Sequence, residues 1–84
     1  MKIGLTQRIL HYNNTAYDCL EHGWYNLLSG HTFFYIPNII EQDYKKLVSD
    51  LDMIIFTGGD ASPHRVLVET KVLTQCYIQD KPVL

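Results

Sequence analysis

Short apolar runs alternate along the chain with longer stretches in which apolar residues recur every three or four positions. Residues 2–6, 32–36 and 52–56 are apolar runs with the length of a β-strand, so the pattern predicts three strands. The run at 52–56 is continuous, which is typical of a central strand covered on both faces. Residues 81–84 indicate the opening of a fourth strand.

The stretches between these runs have the spacing of amphipathic helices. Asn13 and Asn14 are candidate N-caps for a first helix, whose apolar face is formed by Tyr17, Leu20, Trp24, Leu27 and Leu28. A short second helix is indicated by Tyr44, Leu47, Val48 and Leu51. A third helix is predicted over about 64–79, because Ser62 can cap it and Pro63 suits its first turn.

The resulting order, β-α-β-α-β-α-β, implies right-handed crossovers between parallel strands. We therefore predict an α/β fold with an open, doubly wound, flavodoxin-like and mostly parallel sheet. A chain of 84 residues is short for such a sheet, which needs cover on both faces. We expect residues 1–84 to form the N-terminal part of a single larger domain.

The composition argues against several classes of binding partner. Seven basic and nine acidic residues give a net charge of −2, which argues against a nucleic-acid interface. No apolar run approaches the roughly 20 residues of a membrane span. The two cysteines and four histidines have neither a metal-site nor a disulfide-framework spacing. We expect a cytoplasmic protein with no nucleic-acid or membrane partner, no metal and no cofactor.

Candidate chemistry lies where the predicted strands end, because ligands of open α/β sheets bind at the carboxyl edge. Two segments meet this condition, Thr6-Gln7-Arg8 and Thr57-Gly58-Gly59-Asp60. Backbone N–H groups of consecutive glycines can bind a phosphate or the oxyanion of an acyl-transfer intermediate. A tight turn with no ligand explains the two glycines equally well.

Three charged residues are further candidates. The guanidinium of Arg8 suits a carboxylate or phosphate of a substrate, or it pairs with a surface carboxylate. Arg65 and Glu69 are four residues apart on the third predicted helix and can pair. Glu69 lies among apolar positions, so this pair either shapes the site or remains on the solvated surface.

Taken together, these motifs resemble those of class I glutamine amidotransferases, and most closely the gamma-glutamyl hydrolase-like branch. The resemblance covers essentially the whole chain in order. It rests on Lys2-Ile3-Gly4-Leu5-Thr6-Gln7-Arg8, on Phe56-Thr57-Gly58-Gly59-Asp60 with Pro63, on Arg65-x-x-x-Glu69, and on Lys81-Pro82-Val83-Leu84.

The resemblance implies roles for these residues. Gly59 would supply an oxyanion N–H in the turn that it forms with Gly58. Gln7, Arg8 and Asp60 would contact the substrate, while Arg65 and Glu69 would shape the site. In the family, the Pro-Val-Leu strand runs into a Gly-x-Cys-x-Gly elbow that carries the nucleophile, and the His and Glu partners come later. No residue of this chain matches that triad, so we expect residues 1–84 alone to be inactive.

The implied reaction is cysteine-dependent hydrolysis of a gamma-glutamyl amide, either glutamine or a gamma-glutamyl conjugate. The amine product is either ammonia passed to a synthase partner or a freed amine. The opening motif and Trp24 are similar to those of bacterial members in surface-polysaccharide pathways, whereas Ala61 and Val66 depart from the usual pattern and leave the substrate open. The alternative is a non-catalytic, flavodoxin-like module that binds phosphate or another ligand at the Gly-Gly turn.

Overall fold

A computed structural model describes residues 1–59 and 62–84. The elements within these ranges are β1 (Lys2–Leu5), β2 (Arg8–Tyr12), β3 (Thr15–Cys19), α1 (Gly23–Leu27), β4 (Thr32–Tyr35), α2 (Tyr44–Ser49), β5 (Met53–Ile55) and α3 (Pro63–Gln79).

The main sheet is parallel and has the strand order β4-β1-β5. The three strands predicted from the apolar runs are thus confirmed, each within one residue of its expected ends. A segment near the C-terminus lies beside β5, where Val83 forms a parallel bridge with Ile54. The N–H of Leu84 donates to the carbonyl of Ile54, and the N–H of Phe56 donates to that of Leu84, both at 2.9 Å. The indicated fourth strand is therefore present as a short extension of the sheet.

The sheet separates two apolar clusters, because alternate strand residues face opposite sides. One cluster joins the sheet to α2 and α3 and contains the buried residues Ile36, Val48, Leu51, Ile54, Val68, Val72 and Cys76. The other contains Ile3, Leu5 and Ile55, against which Leu20, Trp24, Leu28, Phe33 and Met53 pack. Gly4 allows the first cluster to approach β1, since a Cβ there would lie 2.5 Å from Cδ1 of Leu51.

The second and third predicted helices are confirmed, and their first turns show why they begin where they do. The side chain of Asp43 accepts a hydrogen bond from the N–H of Lys46 at the start of α2. Ser62 accepts from the N–H of Arg65 in the same way, and Pro63 is the first residue of α3. These side chains accept from N–H groups that have no partner within the helix.

The first predicted helix is wrong over most of its length. Asn13 and Asn14 have φ values of 50° and 60°, so they form the left-handed two-residue turn of a β-hairpin and do not cap a helix. Tyr12 and Thr15 pair across this turn, and β2 and β3 are antiparallel. The three- and four-residue spacing was misleading because β-branched and aromatic residues before Cys19 favour a strand. Only α1 is helical.

The coarse class predicted from the sequence, α/β with a mostly parallel sheet, is confirmed for the described residues. The antiparallel hairpin was not predicted. The hairpin directly follows β1, so it begins at the carboxyl edge of the sheet. Within the described ranges, none of the helices has the length and apolar character needed to cross a bilayer.

Candidate functional site at the carboxyl edge of the sheet

Two threonines join the loops that follow β1 and β5. The N–H of Thr57 donates to Oγ1 of Thr6 at 3.0 Å, and Oγ1 of Thr57 donates to the carbonyl of Thr6 at 2.9 Å. Thr6 is buried, so these polar groups satisfy one another away from water. The exchange fixes the two chain segments at the point where Arg8 and Gly59 follow.

Gly59 lies between two guanidinium groups. Its φ is 121° and that of Gly58 is 77°, so both adopt conformations that side chains disfavour. A Cβ at Gly59 would lie 2.6 Å from Nη1 of Arg65 and 3.0 Å from Cγ and Nε of Arg8. Glycine is therefore needed for both its backbone angle and its lack of a side chain. The structure brings Arg8 and Gly59, which the sequence placed at one edge of the sheet, together with Arg65, which was predicted on the third helix.

Arg8 is a half-exposed member of this group. Its Nη1 lies 3.2 Å from Oε1 of Glu21, and the side chains of both residues are about half exposed. An ion pair in such a position contributes little to stability, because water screens it. The guanidinium of Arg8 can therefore exchange Glu21 for another carboxylate or for a phosphate. Sequence reasoning did not identify Glu21 as its partner.

Arg65 differs from Arg8 in being almost completely buried. Only 1% of its side chain is exposed, compared with 21% of that of Glu69, and Nε of Arg65 lies 3.6 Å from Oε1 of Glu69. The four-residue spacing correctly indicated that these residues pair. The burial of Arg65 excludes the alternative of a fully solvated surface pair. The guanidinium of Arg65 thus lies buried beside Gly59 with the carboxylate of Glu69 as its ion-pair partner, so the pair places both a positive and a negative charge near the turn.

The side chain of Gln7 extends from β1 toward the end of β4. Its Nε2 donates to the carbonyl of Ile36 at 3.1 Å, and the backbone carbonyl of Gln7 accepts from Nδ2 of Asn38 at 3.0 Å. These contacts give Gln7 an architectural part in joining two neighbouring loops. Asp60, the remaining candidate of the Gly-Gly segment, lies outside the described residues.

A polar network that the sequence did not reveal fixes the hairpin to the sheet. Asn38 donates its backbone N–H to Oδ2 of Asp18 and its Nδ2 to Oδ1 of Asp18, both at 3.0 Å. Nε2 of His64 lies 2.6 Å from the carbonyl of Asn38. Asn38 is buried, so it links the hairpin, the loop after β4 and the first turn of α3. Asp18 was missed because its strand was predicted to be helical.

The hairpin stands between two clefts. The smaller cleft has a volume of about 360 Å³ and is lined by Arg8, Ile9, Leu10, Cys19 and Gly59. The larger has a volume of about 650 Å³ and is lined by Ile9, His11, Ala16, Asp18, Asn38, Ile39, Ser62, Pro63 and His64. The pairing of Ile9 with Asp18 and of His11 with Ala16 puts those four residues on one hairpin face. Arg8 and Cys19 pair on the other face, toward Gly59.

The two cysteines have different environments. Cys19 is partly exposed at the smaller cleft, whereas Cys76 is buried in the apolar cluster. Burial raises the pKa of the Cys76 thiol, and the positive charge of Lys81 partly opposes this effect. Cys76 is thus kept in its neutral form and is poorly suited to act as a nucleophile. The part of the chain that the structure describes contains no group of three or more His, Cys, Asp or Glu side chains arranged to hold a metal ion.

Comparisons with other proteins identify no relative. No family model, no curated protein and no solved structure matches this chain. The resemblance to class I glutamine amidotransferases therefore stays a prediction based on the motifs. The geometry of the smaller cleft is the observation from which a function can be argued.

Proposed function

We propose that this chain forms the oxyanion-binding side of a gamma-glutamyl amide hydrolase site of the class I glutamine amidotransferase kind. In this proposal, residues 1–84 belong to the N-terminal part of a doubly wound, flavodoxin-like domain. The observation that carries it is the position of Gly59 at the carboxyl edge of the sheet, between Arg8 and the buried Arg65.

The turn has the features that an acyl-transfer site requires of its oxyanion donor. The tetrahedral intermediate carries a negative oxygen, and a fixed backbone N–H stabilises it without needing to reorient. One such donor stabilises the transition state by about 3–4 kcal/mol. Gly59 is exposed, and the guanidinium of Arg65 lies close to it as the positive member of the ion pair with Glu69. Thr6 and Thr57 hold the segment in place through two hydrogen bonds.

Arg8 is the proposed binding group for the carboxylate of the glutamyl substrate. Arginine binds a carboxylate through two parallel N–H donors, which fixes orientation as well as charge. Its exposed pairing with Glu21 keeps the guanidinium at the mouth of the smaller cleft until a substrate carboxylate replaces that of Glu21.

The nucleophile is assigned to residues C-terminal to Leu84 in a longer protein. The segment that contains Val83 is parallel to β5, and it therefore runs toward the edge where Thr57 begins the Gly-Gly turn. A Gly-x-Cys-x-Gly elbow following Leu84, as in the family that the motifs resemble, would emerge beside Gly59. The His and Glu partners are likewise assigned to the longer protein.

The proposed reaction has two steps. The cysteine thiolate attacks the gamma-carbonyl carbon, the C–N bond breaks, and the leaving nitrogen takes a proton as the amine departs. Water then hydrolyses the thioester, which releases glutamate and regenerates the thiol. For glutamine the first product is ammonia, which a synthase partner would consume; for a conjugate it is the freed amine.

A second candidate function is phosphate binding without catalysis. It is favoured by the two guanidinium groups beside Gly59, because arginine and backbone N–H groups together form a common phosphate site. This module would need no nucleophile and would bind its ligand within residues 1–84.

Glutamate release tests the proposal. The open reading frame is expressed through and beyond Leu84, and glutamate is measured with L-glutamine and with gamma-glutamyl anilide as substrates. We expect release by the longer protein and none above buffer by residues 1–84. A longer protein that releases no glutamate from either compound contradicts the proposal. Saturable binding of inorganic phosphate to residues 1–84 that disappears in Arg8→Ala would then support the phosphate-binding module.

A further inference from the structure

The larger cleft lies on the hairpin face opposite Gly59, and the proposed reaction does not use it. One wall is the hairpin face that carries Ile9 and Ala16, and the other is formed by Ile39 and the first turn of α3. Its volume of about 650 Å³ is within the range of small-molecule sites. The cleft is therefore large enough to bind a ligand of its own.

The polar groups of the cleft include two side chains that can accept hydrogen bonds, those of Asp18 and His64, together with His11 and Ser62, which can also donate. The carboxylate of Asp18 accepts two hydrogen bonds from Asn38, yet its two oxygens have capacity for more. Because a carbonyl oxygen can only accept, the contact with Asn38 places the proton of His64 on Nε2. In the neutral ring, Nδ1 of His64 is then an acceptor. Both acceptors belong to one network, so their positions relative to each other are fixed.

The negative charge of the cleft is suited to binding a cation. The described residues that line it include one carboxylate and no Lys or Arg. The carboxylate of Asp18 is held by a neutral amide, so its charge is not cancelled by a neighbouring cation within this lining. Ile9, Ile39 and Pro63 provide apolar walls on either side. This combination suits a ligand with a positively charged donor at one end and a short hydrocarbon body.

We propose that this cleft binds a primary alkylammonium group, with the ammonium donating to Asp18 and to Nδ1 of His64. The hydrocarbon chain lies between Ile9 and Ile39. Among the described lining residues, the site shares only Ile9 with the smaller cleft, and it does not depend on the gamma-glutamyl chemistry proposed there. Such a ligand is a small amine, which either regulates this protein as an effector or is the product of another reaction.

The test uses the 84-residue chain and n-pentylammonium chloride as the probe, followed by two-dimensional NMR of the backbone amides. We expect saturable shifts centred on Ala16, Asp18 and His64. Pentanoate, which has the opposite charge, and pentan-1-ol, which has none, are expected to produce no saturable shifts at the same concentrations. Added salt should weaken amine binding, because Asp18 is exposed and its charge is screened.

Ala16→Leu is the decisive variant, because it fills the cleft without altering the hydrogen bonds of Asp18 or Asn38. We expect it to weaken binding of the ammonium probe about tenfold or more, since the added side chain occupies the space of the hydrocarbon body. Tyr17→Trp is the matched control, because it adds bulk on the opposite face of the hairpin and should leave binding unchanged.

Three results would overturn the proposal: no saturable binding of the amine, equal binding of pentanoate, or unchanged amine affinity in an Ala16→Leu variant whose amide spectrum shows that it is folded. Amine binding by a chain whose longer form releases no glutamate would still support this site, while contradicting the reaction proposed for the smaller cleft.

Discussion

Thr6 and Thr57 exchange hydrogen bonds in both directions across the carboxyl ends of β1 and β5. Each residue uses its hydroxyl and one backbone group, and the two distances are 3.0 Å and 2.9 Å. The pair thereby continues the connection between the two strands beyond their last paired residues, Leu5 and Ile55. The positions of Arg8 and Gly59 depend on this connection, since each lies two residues beyond it.

Removing either hydroxyl should destabilise the protein. Thr57→Val loses the donor to the carbonyl of Thr6, and Thr6→Val leaves the N–H of Thr57 without its acceptor. We expect each to lower the free energy of unfolding by about 1–3 kcal/mol. The double variant should lose less than the sum, because both changes disrupt one pair. Urea denaturation measures these values. Thr74→Val is the control, since its exposed hydroxyl bonds only within α3; an equal loss there would contradict the prediction.

Alanine should have different effects at the two glycines of the turn. Both positions have positive φ, so both variants introduce backbone strain. Among the described residues, several atoms would crowd a Cβ at Gly59, whereas none lies within 4 Å of a Cβ at Gly58. We expect Gly59→Ala to lower the melting temperature more than Gly58→Ala. In the longer protein, Gly59→Ala should also lower kcat about 100-fold through displacement of the oxyanion donor. Equal kcat in the two variants would show that the turn is only structural.

Arg8→Ala should affect substrate binding and leave stability unchanged. Its ion pair with Glu21 is exposed, so its loss should change the free energy of unfolding by less than about 1 kcal/mol. In the longer protein we expect KM for L-glutamine to rise roughly 10- to 100-fold, because a charged hydrogen bond to the substrate is lost. Glu21→Gln is the control, since it breaks the same pair but keeps the guanidinium. A similar rise in KM in both variants would assign the effect to the ion pair and not to substrate binding.

Two ion pairs with the same helical spacing allow the effect of burial to be measured. Arg65 and Glu69 have side-chain exposures of 1% and 21%, whereas Lys46 and Asp50 have 73% and 63%. We expect Glu69→Gln to lower the melting temperature clearly and Asp50→Asn to have almost no effect, because water screens the exposed pair. Thermal unfolding followed by circular dichroism compares them. Equal shifts would show that the carboxylate of Glu69 contributes no more than a surface charge.

Stability should fall in alkaline solution because of Cys76. Burial raises the pKa of its thiol in the folded protein, so the unfolded chain loses this proton first as the pH rises. The stability that the neutral, buried thiol of Cys76 contributes is fully present below about pH 8.5, the usual pKa of a thiol in an unfolded chain. It is lost as the pH rises above this value. Urea denaturation at a series of pH values should show a decline that is weaker in Cys76→Ala. A decline as steep in Cys76→Ala as in the wild-type protein would contradict this prediction.

The sequence predicted the parallel sheet well because apolar runs report burial on both faces. It also located Arg8 and Gly59, since the rule for carboxyl edges depends only on the order of strands. Arg65 was found by its four-residue spacing from Glu69. It failed at the hairpin, where Asn13 and Asn14 were interpreted as caps although both are left-handed. Asparagine is common both at helix N-caps and in two-residue hairpin turns, and only the pairing of residues across the turn distinguishes the two structures.

The contacts of Asp18 could not be predicted from the sequence, for a related reason. Its partner Asn38 follows β4, and the link between them forms only when the hairpin folds against that loop. No local pattern in the chain reports such a distant polar contact. The burial of Arg65 was similarly unpredictable, because spacing identifies the partner of a charged residue but not the depth of either one.

The attachment of the hairpin has a consequence for how the two clefts influence each other. Among the described residues, β2 and β3 pair with each other and not with the main sheet, and the hydrogen bonds between Asp18 and Asn38 and the packing of Arg8 against Gly59 attach the hairpin to the rest of the fold. Such a unit can open by local unfolding while the sheet stays intact. A ligand on either face would reduce this opening and lower the entropic cost of ordering the other face. By linkage, occupation of one cleft should then increase affinity at the other by the same factor in both directions.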